Sequence, residues 1–392
     1  MGSTYKSCMS RIENKRRAMD TKIDEIVKQV LSEIGIEEKV KTFFNKEDYP
    51  ALTEEMSIKK AVLKKTEEYR IEEEAIPNLR DKEMLVYVEG AMVSKRDVSE
   101  FLKEKKVGES INLGSEGCGI VVKMGGKEIK DALGNVMKVG DKVVGLGKSN
   151  SYLSYKRGSV DTWYGNYIVI RENTTFYRAN DLSLDSRLLL ESMVMVENAV
   201  QRTMKIANVD TGGTALVMGC TLEGLLTIAI LGCLGMKNII AIDHEKQRDL
   251  AKGFGATHFF GTHEKSGISG VQEKIRSKSG GLADMVFNSY TTLVGKNAAK
   301  RLAKEGAPIC DLTNLAGNLT TSIKYYEESM PIGGRYYRNE DYQNALYMLK
   351  LAEEKQIPLY RLITHRFLLY QINEAHWTLA REEGMAIAVF NR

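Results

Sequence analysis

The chain contains 392 residues, of which 43% are hydrophobic and 28% are charged. This composition is that of an ordinary globular protein of two to three domains, and it excludes global disorder. The 56 Lys and Arg residues exceed the 52 Asp and Glu residues by four. Residues 1–18 carry this whole excess, so we do not expect a uniformly basic protein that binds nucleic acid.

The sequence shows no sign of a membrane span, a secretory signal or a disulfide framework. No apolar stretch reaches the roughly 18 residues of a transmembrane helix, and residues 1–18 lack an apolar centre. The five cysteines form no C-x-x-C pair; they are Cys8, Cys118, Cys220, Cys233 and Cys310. Such spacing is typical of a reducing compartment. We therefore expect a cytoplasmic protein with no membrane partner.

The first predicted element is an amphipathic helix over residues 20–35. Its apolar residues recur at helical spacing, and Gly35 supplies a stop. Residues 36–57 are charged, weakly periodic and interrupted by Pro50, as in a linker or a loosely packed second helix. Residues 1–57 are therefore predicted to form an extension that is separate from the domains after it.

Two different patterns follow the extension. Short β-rich runs alternate with turns over about 58–185, which predicts a compact domain of antiparallel strands. Strand, helix and strand patterns then alternate from Gly213 to Phe260, as a parallel βαβ unit requires. The runs Thr214–Met218 and Asn238–Ile242 are continuously apolar, which is typical of strands that are buried on both faces. This second region is predicted to be a doubly wound α/β domain.

A glycine-containing turn directly follows the first of these strands. It reads Gly219-Cys-Thr-Leu-Glu-Gly224 and leads into an apolar helix, a second strand and Asp243. Glycine permits a sharp turn, a helix N-terminus offers N–H groups to a pyrophosphate, and a carboxylate after the next strand binds a ribose 2′-hydroxyl. We predict a dinucleotide site made by these residues: Gly219, Thr221, Leu222, Glu223, Gly224 and Asp243.

The same residues indicate which dinucleotide is bound. Asp243 lies 19 residues after Gly224, near the expected spacing, and its carboxylate would repel a 2′-phosphate. NAD is therefore favoured over NADP. Thr221 stands at the middle glycine position, so either the cofactor is slightly displaced or the threonine hydroxyl contacts a phosphate. A parallel α/β unit that binds nothing is the alternative.

From about Lys60 to the C-terminus the chain resembles the medium-chain dehydrogenases/reductases of the alcohol and polyol dehydrogenase type. The resemblance is carried by stretches in the family's order: VGESINLGSEGCGIVV, VGDKVVG, the unit from Gly219 to Asp243, AKGFGATHFF, ADMVFNS and LITHRFLLYQINEAHWTL. It implies a GroES-like substrate domain over 58–190 and 338–392. It also implies a Rossmann NAD-binding domain over 191–337, an active site between the two domains, and a homodimer or homotetramer.

The chain departs from the zinc-dependent members of this family at each metal position. Ser94 stands where the resemblance implies a catalytic Cys, Ser115 where it implies a His, and the third ligand position falls at Val194 or Met195. Hydroxyl and apolar side chains do not replace thiolate, imidazole or carboxylate ligands of zinc. The four cysteines of a structural zinc lobe are also absent from residues 145–170. We expect neither zinc to bind.

The acidic residues that flank the metal in the family have counterparts here in Asp97 and Glu116. One hypothesis is that Lys95 or Arg96 projects into the vacated region, pairs with Glu116 and polarises a substrate carbonyl. The alternative leaves both cations in solvent, as is common for a Lys-Arg pair in a loop.

Without a metal, carbonyl reduction requires a proton donor near the hydride acceptor. The candidates are the hydroxyls of Ser94, Ser115 and Tyr164, although Tyr164 is equally well interpreted as a packing residue. Asn288 ends a predicted strand and is expected to approach the cofactor. Arg335 falls in a loop that the resemblance places near the nicotinamide, where it either meets an anionic substrate or is solvated.

The helix over residues 20–35 resembles the short amphipathic peptides that recruit enzymes into bacterial microcompartments. The alternative is a helix that packs on its own catalytic domain or pairs between subunits. The chain as a whole is predicted to be a zinc-independent NAD(H)-dependent oxidoreductase that transfers hydride between nicotinamide and a small alcohol or carbonyl compound. An ene-reductase and a non-catalytic dinucleotide-binding or assembly protein are the alternatives.

Overall fold

The polypeptide divides into two compact units, Met1–Ala51 and Leu52–Arg392. The computed structural model describes parts of the second unit alone: residues 56–104, 111–146, 162–171, 174–262, 267–314, 322–325, 328–331, 337–381 and 384–391. The predicted helix over residues 20–35 and Arg335 lie outside the described residues. No helix within the described ranges combines the length and the apolar character needed to cross a bilayer.

The first described part of the chain is dominated by strands. Its elements are β1 (Ser57–Lys65), β2 (Glu68–Ala75), β3 (Glu83–Met92), α1 (Lys95–Leu102), β4 (Glu116–Met124), β5 (Lys142–Leu146), β6 (Tyr167–Arg171) and β7 (Thr175–Arg178). Apolar residues fill the buried faces of these strands, and in β3 eight of the ten residues are buried. The β-dominated texture predicted for this part of the chain is thus present.

The remainder of the chain alternates helices with strands. Its elements are α2 (Leu184–Leu188), α3 (Leu190–Ala207), β8 (Thr214–Met218), α4 (Leu222–Cys233), β9 (Asn238–Asp243), α5 (Arg248–Gly253), β10 (His258–Gly261), α6 (Gly267–Ser279), β11 (Met285–Asn288), α7 (Leu293–Leu302), β12 (Ile309–Asp311), β13 (Ser322–Tyr325), β14 (Glu328–Pro331), α8 (Asn339–Glu354), β15 (Ile363–Leu368), α9 (Ile372–Ala380) and β16 (Ala386–Phe390).

Two seven-stranded sheets organise these elements. The first has the order β15-β16-β3-β4-β5-β7, with β6 paired to β3, and its pairs are antiparallel except β15 with β16. The last segment of the chain therefore returns to the sheet that the first segment began. A separate hairpin is formed by β1 and β2.

The second sheet has the order β10-β9-β8-β11-β12-β13-β14. Its first five strands are parallel, and β13 and β14 extend it as an antiparallel hairpin. The chain leaves β8 for β9 on one side and later returns to β11 on the other side, so the strand order reverses at β8. In parallel sheets such a reversal opens a crevice beyond the carboxyl ends of the strands. The predicted fold class, a doubly wound sheet with a β-rich second domain, is confirmed. The domain boundaries predicted at residues 57, 190 and 337 stay a prediction.

Helix α3 connects the two parts of the molecule. Its apolar face packs against the second sheet, and Val194 and Val200 of the helix share one buried cluster with Val217 of β8. Residues 208–213 join the end of α3 to the start of β8. The helix therefore runs antiparallel to the strand, and its first turn lies at the carboxyl edge of the sheet.

Candidate active site

The turn between β8 and α4 has the geometry that a dinucleotide site requires. Gly219 has a φ of +93°, a conformation that side-chain-bearing residues rarely adopt. A Cβ placed on Gly224 would lie 2.0 Å from the carbonyl oxygen of Gly219. Both glycines are therefore needed for the turn to close and for α4 to begin directly against it. Leu222 and Glu223 are the first two residues of that helix.

Thr221, which departs from the glycine pattern, caps helix α4. Its Oγ1 accepts a hydrogen bond from the N–H of Gly224 at 3.2 Å and donates to Oγ of Ser289 at 3.1 Å. Threonine is a favourable N-cap residue because its hydroxyl satisfies one of the free N–H groups of the first turn. The side chain at this position thus stabilises the helix start and ties it to the segment after β11.

Asp243 ends β9, as the sequence predicts, and its side chain is buried. Its two carboxylate oxygens accept hydrogen bonds from the N–H groups of Cys220 and His244, each at 2.5 Å. Bonds from N–H donors to a charged acceptor are stronger than neutral ones, so these two bonds hold the carboxylate in place. The negative charge therefore lies beside the glycine turn, where a ribose bound in the crevice would meet it.

Asn288 ends β11 at the same edge of the sheet. Its amide closes a local turn: Nδ2 donates to the carbonyl of Tyr290 at 2.9 Å, and Oδ1 accepts from the N–H of Tyr290 at 3.3 Å. The side chain is 2% exposed. Asn288 therefore shapes the segment that borders the crevice, and its predicted approach to the cofactor stays a prediction.

The side chains at the three positions that correspond to the family's zinc ligands either cap a helix, are half-buried or pack in the core. Ser94 caps helix α1, where its Oγ accepts from the N–H of Asp97 and donates to Oδ2 of Asp97 at 2.8 Å. Ser115 is half-buried, and Val194 is fully buried in the core. Among the residues that the structure describes, no group of three or more His, Cys, Asp or Glu is placed to hold a metal ion.

Tyr164 is buried and its hydroxyl is engaged within the protein. Tyr164 Oη lies 3.0 Å from Oδ2 of Asp97 and 3.1 Å from the carbonyl oxygen of Met92, and it is a donor to both. Burial raises the pKa of this phenol well above its ordinary value, and the charge of Asp97 raises it further. The arrangement favours the interpretation of Tyr164 as a packing residue and speaks against a role as proton donor.

The predicted pairing of Glu116 with Lys95 or Arg96 stays a prediction. Both cations are exposed on the first turn of α1. Glu116 begins β4 in a different environment. Burial raises its pKa well above the ordinary value, and the charges of Glu191 and Asp97 raise it further. Glu116, whose pKa is strongly raised, therefore lies near two other carboxyl groups.

The charge of Glu191 raises the pKa of Glu116 more than the charge of Asp97 does. Sequence reasoning did not find Glu191. It lies in the first turn of α3, and Tyr342 of α8 donates a hydrogen bond from Oη to its Oε2 at 3.0 Å. Burial also raises the pKa of Glu191, while the bond from Tyr342 lowers it. The only signal in the sequence is one acid within the apolar run Leu188–Val196. We call Glu116 and Glu191 the carboxylate pair.

The carboxylate pair lies beyond the carboxyl edge of the parallel sheet. Thr203 of α3 bonds to Cys310 within β12, and Glu191 precedes Thr203 by twelve residues, or about 18 Å along a helix. Glu116 begins β4 of the antiparallel sheet and is near enough for the charge of Glu191 to raise its pKa. Both acids retain some solvent contact. Glu191 therefore lies on the side of the parallel sheet where the dinucleotide crevice opens.

No family model matches the sequence, but individual proteins do. Sorbitol dehydrogenase of Bacillus subtilis is 24% identical over 237 residues, which cover 55% of this chain and 64% of that enzyme, just under two thirds of its length. Sorbitol dehydrogenase 2 of Saccharomyces cerevisiae is 26% identical over 354 residues, which cover 80% of this chain and 94% of the enzyme.

Solved structures share the fold. An alcohol dehydrogenase of Thermotoga maritima superposes with a TM-score of 0.64 at 19% identity, over 86% of this chain and 99% of that one. The likeness shows that the two-domain fold of this chain is shared with that structure. The similarity to the yeast sorbitol dehydrogenase extends along most of both chains, and it agrees with the resemblance to the medium-chain dehydrogenases/reductases.

Proposed function

We propose that the protein transfers hydride between NAD(H) and a small alcohol or carbonyl compound. The observation that carries the proposal is the buried carboxylate of Asp243, held beside the Gly219 turn by the N–H groups of Cys220 and His244. A fixed negative charge there accepts hydrogen bonds from a ribose 2′-hydroxyl and repels a 2′-phosphate. Bound in the crevice, the nicotinamide would supply or accept the hydride.

The carboxylate pair is the proposed source of the proton. A carboxyl group with a raised pKa holds a proton near neutral pH and can release it to a developing alkoxide. Two neighbouring carboxyls resist double ionisation, which favours a state in which one of Glu116 and Glu191 carries a proton. Tyr342 orients Glu191 through its hydroxyl. The proton would return from solvent, with which both acids are in contact.

The proposed reaction is zinc-independent. Ser94 is engaged as a helix cap and Ser115 offers a hydroxyl, so the described residues at these positions do not fit the ligand set of zinc. We expect purified, active protein to contain far less than one zinc per chain, and dialysis against a chelator to leave turnover unchanged. Stoichiometric zinc that is required for turnover would overturn this part of the proposal.

The substrate class is proposed from the relatives. The matching curated proteins include sorbitol dehydrogenases and a xylulose reductase, enzymes named for polyols and the corresponding ketoses. These names favour alcohol and carbonyl chemistry over reduction of a conjugated double bond. A polyol or small secondary alcohol is accordingly the proposed substrate.

Binding and turnover test the proposal separately. NADH and NADPH are titrated by fluorescence, and NADH is expected to bind more tightly because Asp243 opposes the 2′-phosphate. A panel of polyols, ketoses, simple aldehydes and enones is then assayed for turnover. Tighter binding of NADPH, or turnover of enones alone, would instead favour the ene-reductase alternative.

The partner and location are also proposals. The helix over residues 20–35 is proposed to recruit the enzyme to a bacterial microcompartment within the cytoplasm, and the catalytic part to form a homodimer or homotetramer. Fusing residues 1–51 to a fluorescent protein tests recruitment, since punctate fluorescence in a host that makes compartments is expected. A scrambled helix of the same composition is the control.

A further inference from the structure

Tyr290, which neither the motif nor the proposed chemistry uses, lies across the dinucleotide crevice. It follows the end of β11 by two residues, and its Oη donates to the carbonyl oxygen of Ile242 in β9 at 3.1 Å. In the sheet, β8 stands between β11 and β9. Neighbouring strands are about 4.8 Å apart. The side chain therefore crosses the carboxyl end of β8.

The phenol ring lies beside the glycine turn. A Cβ placed on Gly219 would be 3.6 Å from Cε1 of Tyr290, which is ordinary van der Waals distance. Gly219 also donates its own N–H to the carbonyl of Ile242 at 2.8 Å. The hydroxyl of Tyr290 and the N–H of Gly219 thus donate to the same acceptor, the carbonyl oxygen of Ile242, which directly precedes Asp243 in the chain. The ring consequently occupies the adenosine side of the crevice, between the turn and the ribose-binding carboxylate.

The backbone that carries this ring is fixed. Asn288 bonds both polar backbone groups of Tyr290, and the N–H of Ser289 donates to the carbonyl of Met218 at 2.8 Å. A Cβ on Gly295 would lie 2.5 Å from Cβ of Tyr290, so α7 also packs against its base. The ring itself is half-buried and has one hydrogen bond at its tip. Rotation about χ1 is therefore the motion open to it.

We propose that Tyr290 controls access of the dinucleotide, and that its ring must leave the carbonyl of Ile242 before adenosine enters the crevice. The inference rests on the proposed function, because it requires that a dinucleotide binds. It makes Tyr290 a determinant of cofactor association. Other charged and titratable groups at the ring are Asp243 and the Cys220 thiol, and both disfavour ionisation of the phenol. The hydroxyl is thus a neutral donor.

Association kinetics of NADH test this role. The wild type is compared by stopped-flow fluorescence with Tyr290→Phe, which removes the hydrogen bond and keeps the ring, and with Tyr290→Ala, which removes the ring. Loss of one neutral hydrogen bond should raise the association rate about fivefold in Tyr290→Phe. Tyr290→Ala should associate at least as fast. Tyr347→Phe, at an exposed tyrosine on α8, is the matched control and should behave as the wild type.

Each outcome has a defined meaning. An unchanged or slower association in Tyr290→Phe overturns the proposal, and slower association in Tyr290→Ala would show that the ring forms a wall of the adenosine site. Circular dichroism melts confirm that the variants are folded. If NADH and NADPH bind to neither the wild type nor any variant, the proposed function fails together with this inference. Binding to the variants with faster association supports both.

Discussion

At the residue scale, buried acids distinguish this site. Burial raises the pKa of Glu116, and the charges of Glu191 and Asp97 raise it further. Such an arrangement destabilises the fold when both groups are charged. A protein that retains it is expected to gain function at some cost in stability.

The pH dependence of stability tests this view of Glu116. Its folded pKa lies above the unfolded value, so the folded state binds more protons, and stability falls as pH rises above about 4.5. Glu116→Gln removes this loss. The variant should therefore melt at a higher temperature than the wild type at pH 8, with the difference disappearing towards pH 4.5, as measured by differential scanning calorimetry.

Glu374→Gln, at an exposed acid on α9, is the control and should leave the melting temperature unchanged at both pH values. The same Glu116→Gln protein should lose turnover about 100-fold while still binding NADH, because a general acid contributes roughly that factor. If the gain in stability of Glu116→Gln over the wild type is no larger at pH 8 than at pH 5, the buried-acid interpretation is contradicted.

Cofactor preference provides a second test at this scale. Asp243→Asn removes the negative charge and keeps an acceptor oxygen for only one of the two N–H groups, those of Cys220 and His244. NADH should bind about tenfold more weakly, since one charge-assisted bond to ribose is lost, and the preference for NADH over NADPH should shrink. Fluorescence titration measures both. Asp249→Asn, an exposed acid on α5, is expected to change neither affinity.

At the element scale, the start of α4 shows how much of a site follows from local sequence. The strand before it, the turn and the strand that ends at Asp243 all occur where the apolar runs predict them. These features are local, since backbone conformation and hydrophobic period act over a few residues. The capping role of Thr221 is also a local property. It was not predicted, because the glycine pattern suggested a contact between this residue and a phosphate.

A pair of glycine substitutions in α4 tests the close approach at the turn. Gly224→Ala places a Cβ 2.0 Å from the carbonyl oxygen of Gly219, whereas a Cβ at Gly232 in the same helix would lie 4.0 Å from Cδ1 of Ile239. Gly224→Ala should cost about 1–3 kcal/mol of unfolding free energy through overpacking and abolish NADH binding. Urea unfolding and fluorescence titration check these results.

Gly232→Ala is the matched control. In a helix interior, alanine is more favourable than glycine by about 0.5–1 kcal/mol. This variant should therefore be as stable as the wild type or more stable. It should bind NADH normally. Equal effects of the two substitutions would mean that the turn tolerates a side chain at Gly224.

At the scale of the whole molecule, the catalytic part is expected to be independent of the N-terminal unit. Ser57 begins β1 and its carbonyl accepts from Nδ2 of Asn166 at 3.0 Å, so a deletion must stop before that strand. The tested deletion removes residues 1–51, up to the boundary of the two units. Its melting temperature should stay within about 2 °C of the wild-type value and its turnover should be unchanged, because changes away from the core have small effects. Calorimetry and assay measure this, and loss of folding would assign the helix a structural role.

The sequence by itself determined the order of strands and helices, the fold class and the dinucleotide turn, because hydrophobic period and glycine conformation are local properties. Tertiary structure alone decided which side chains meet. Glu191 faces Glu116 across more than seventy intervening residues, Tyr164 gives its hydroxyl to Asp97, and Tyr290 spans three strands. Each of these contacts depends on how helices and sheets pack, and burial then sets the charge state of the groups brought together.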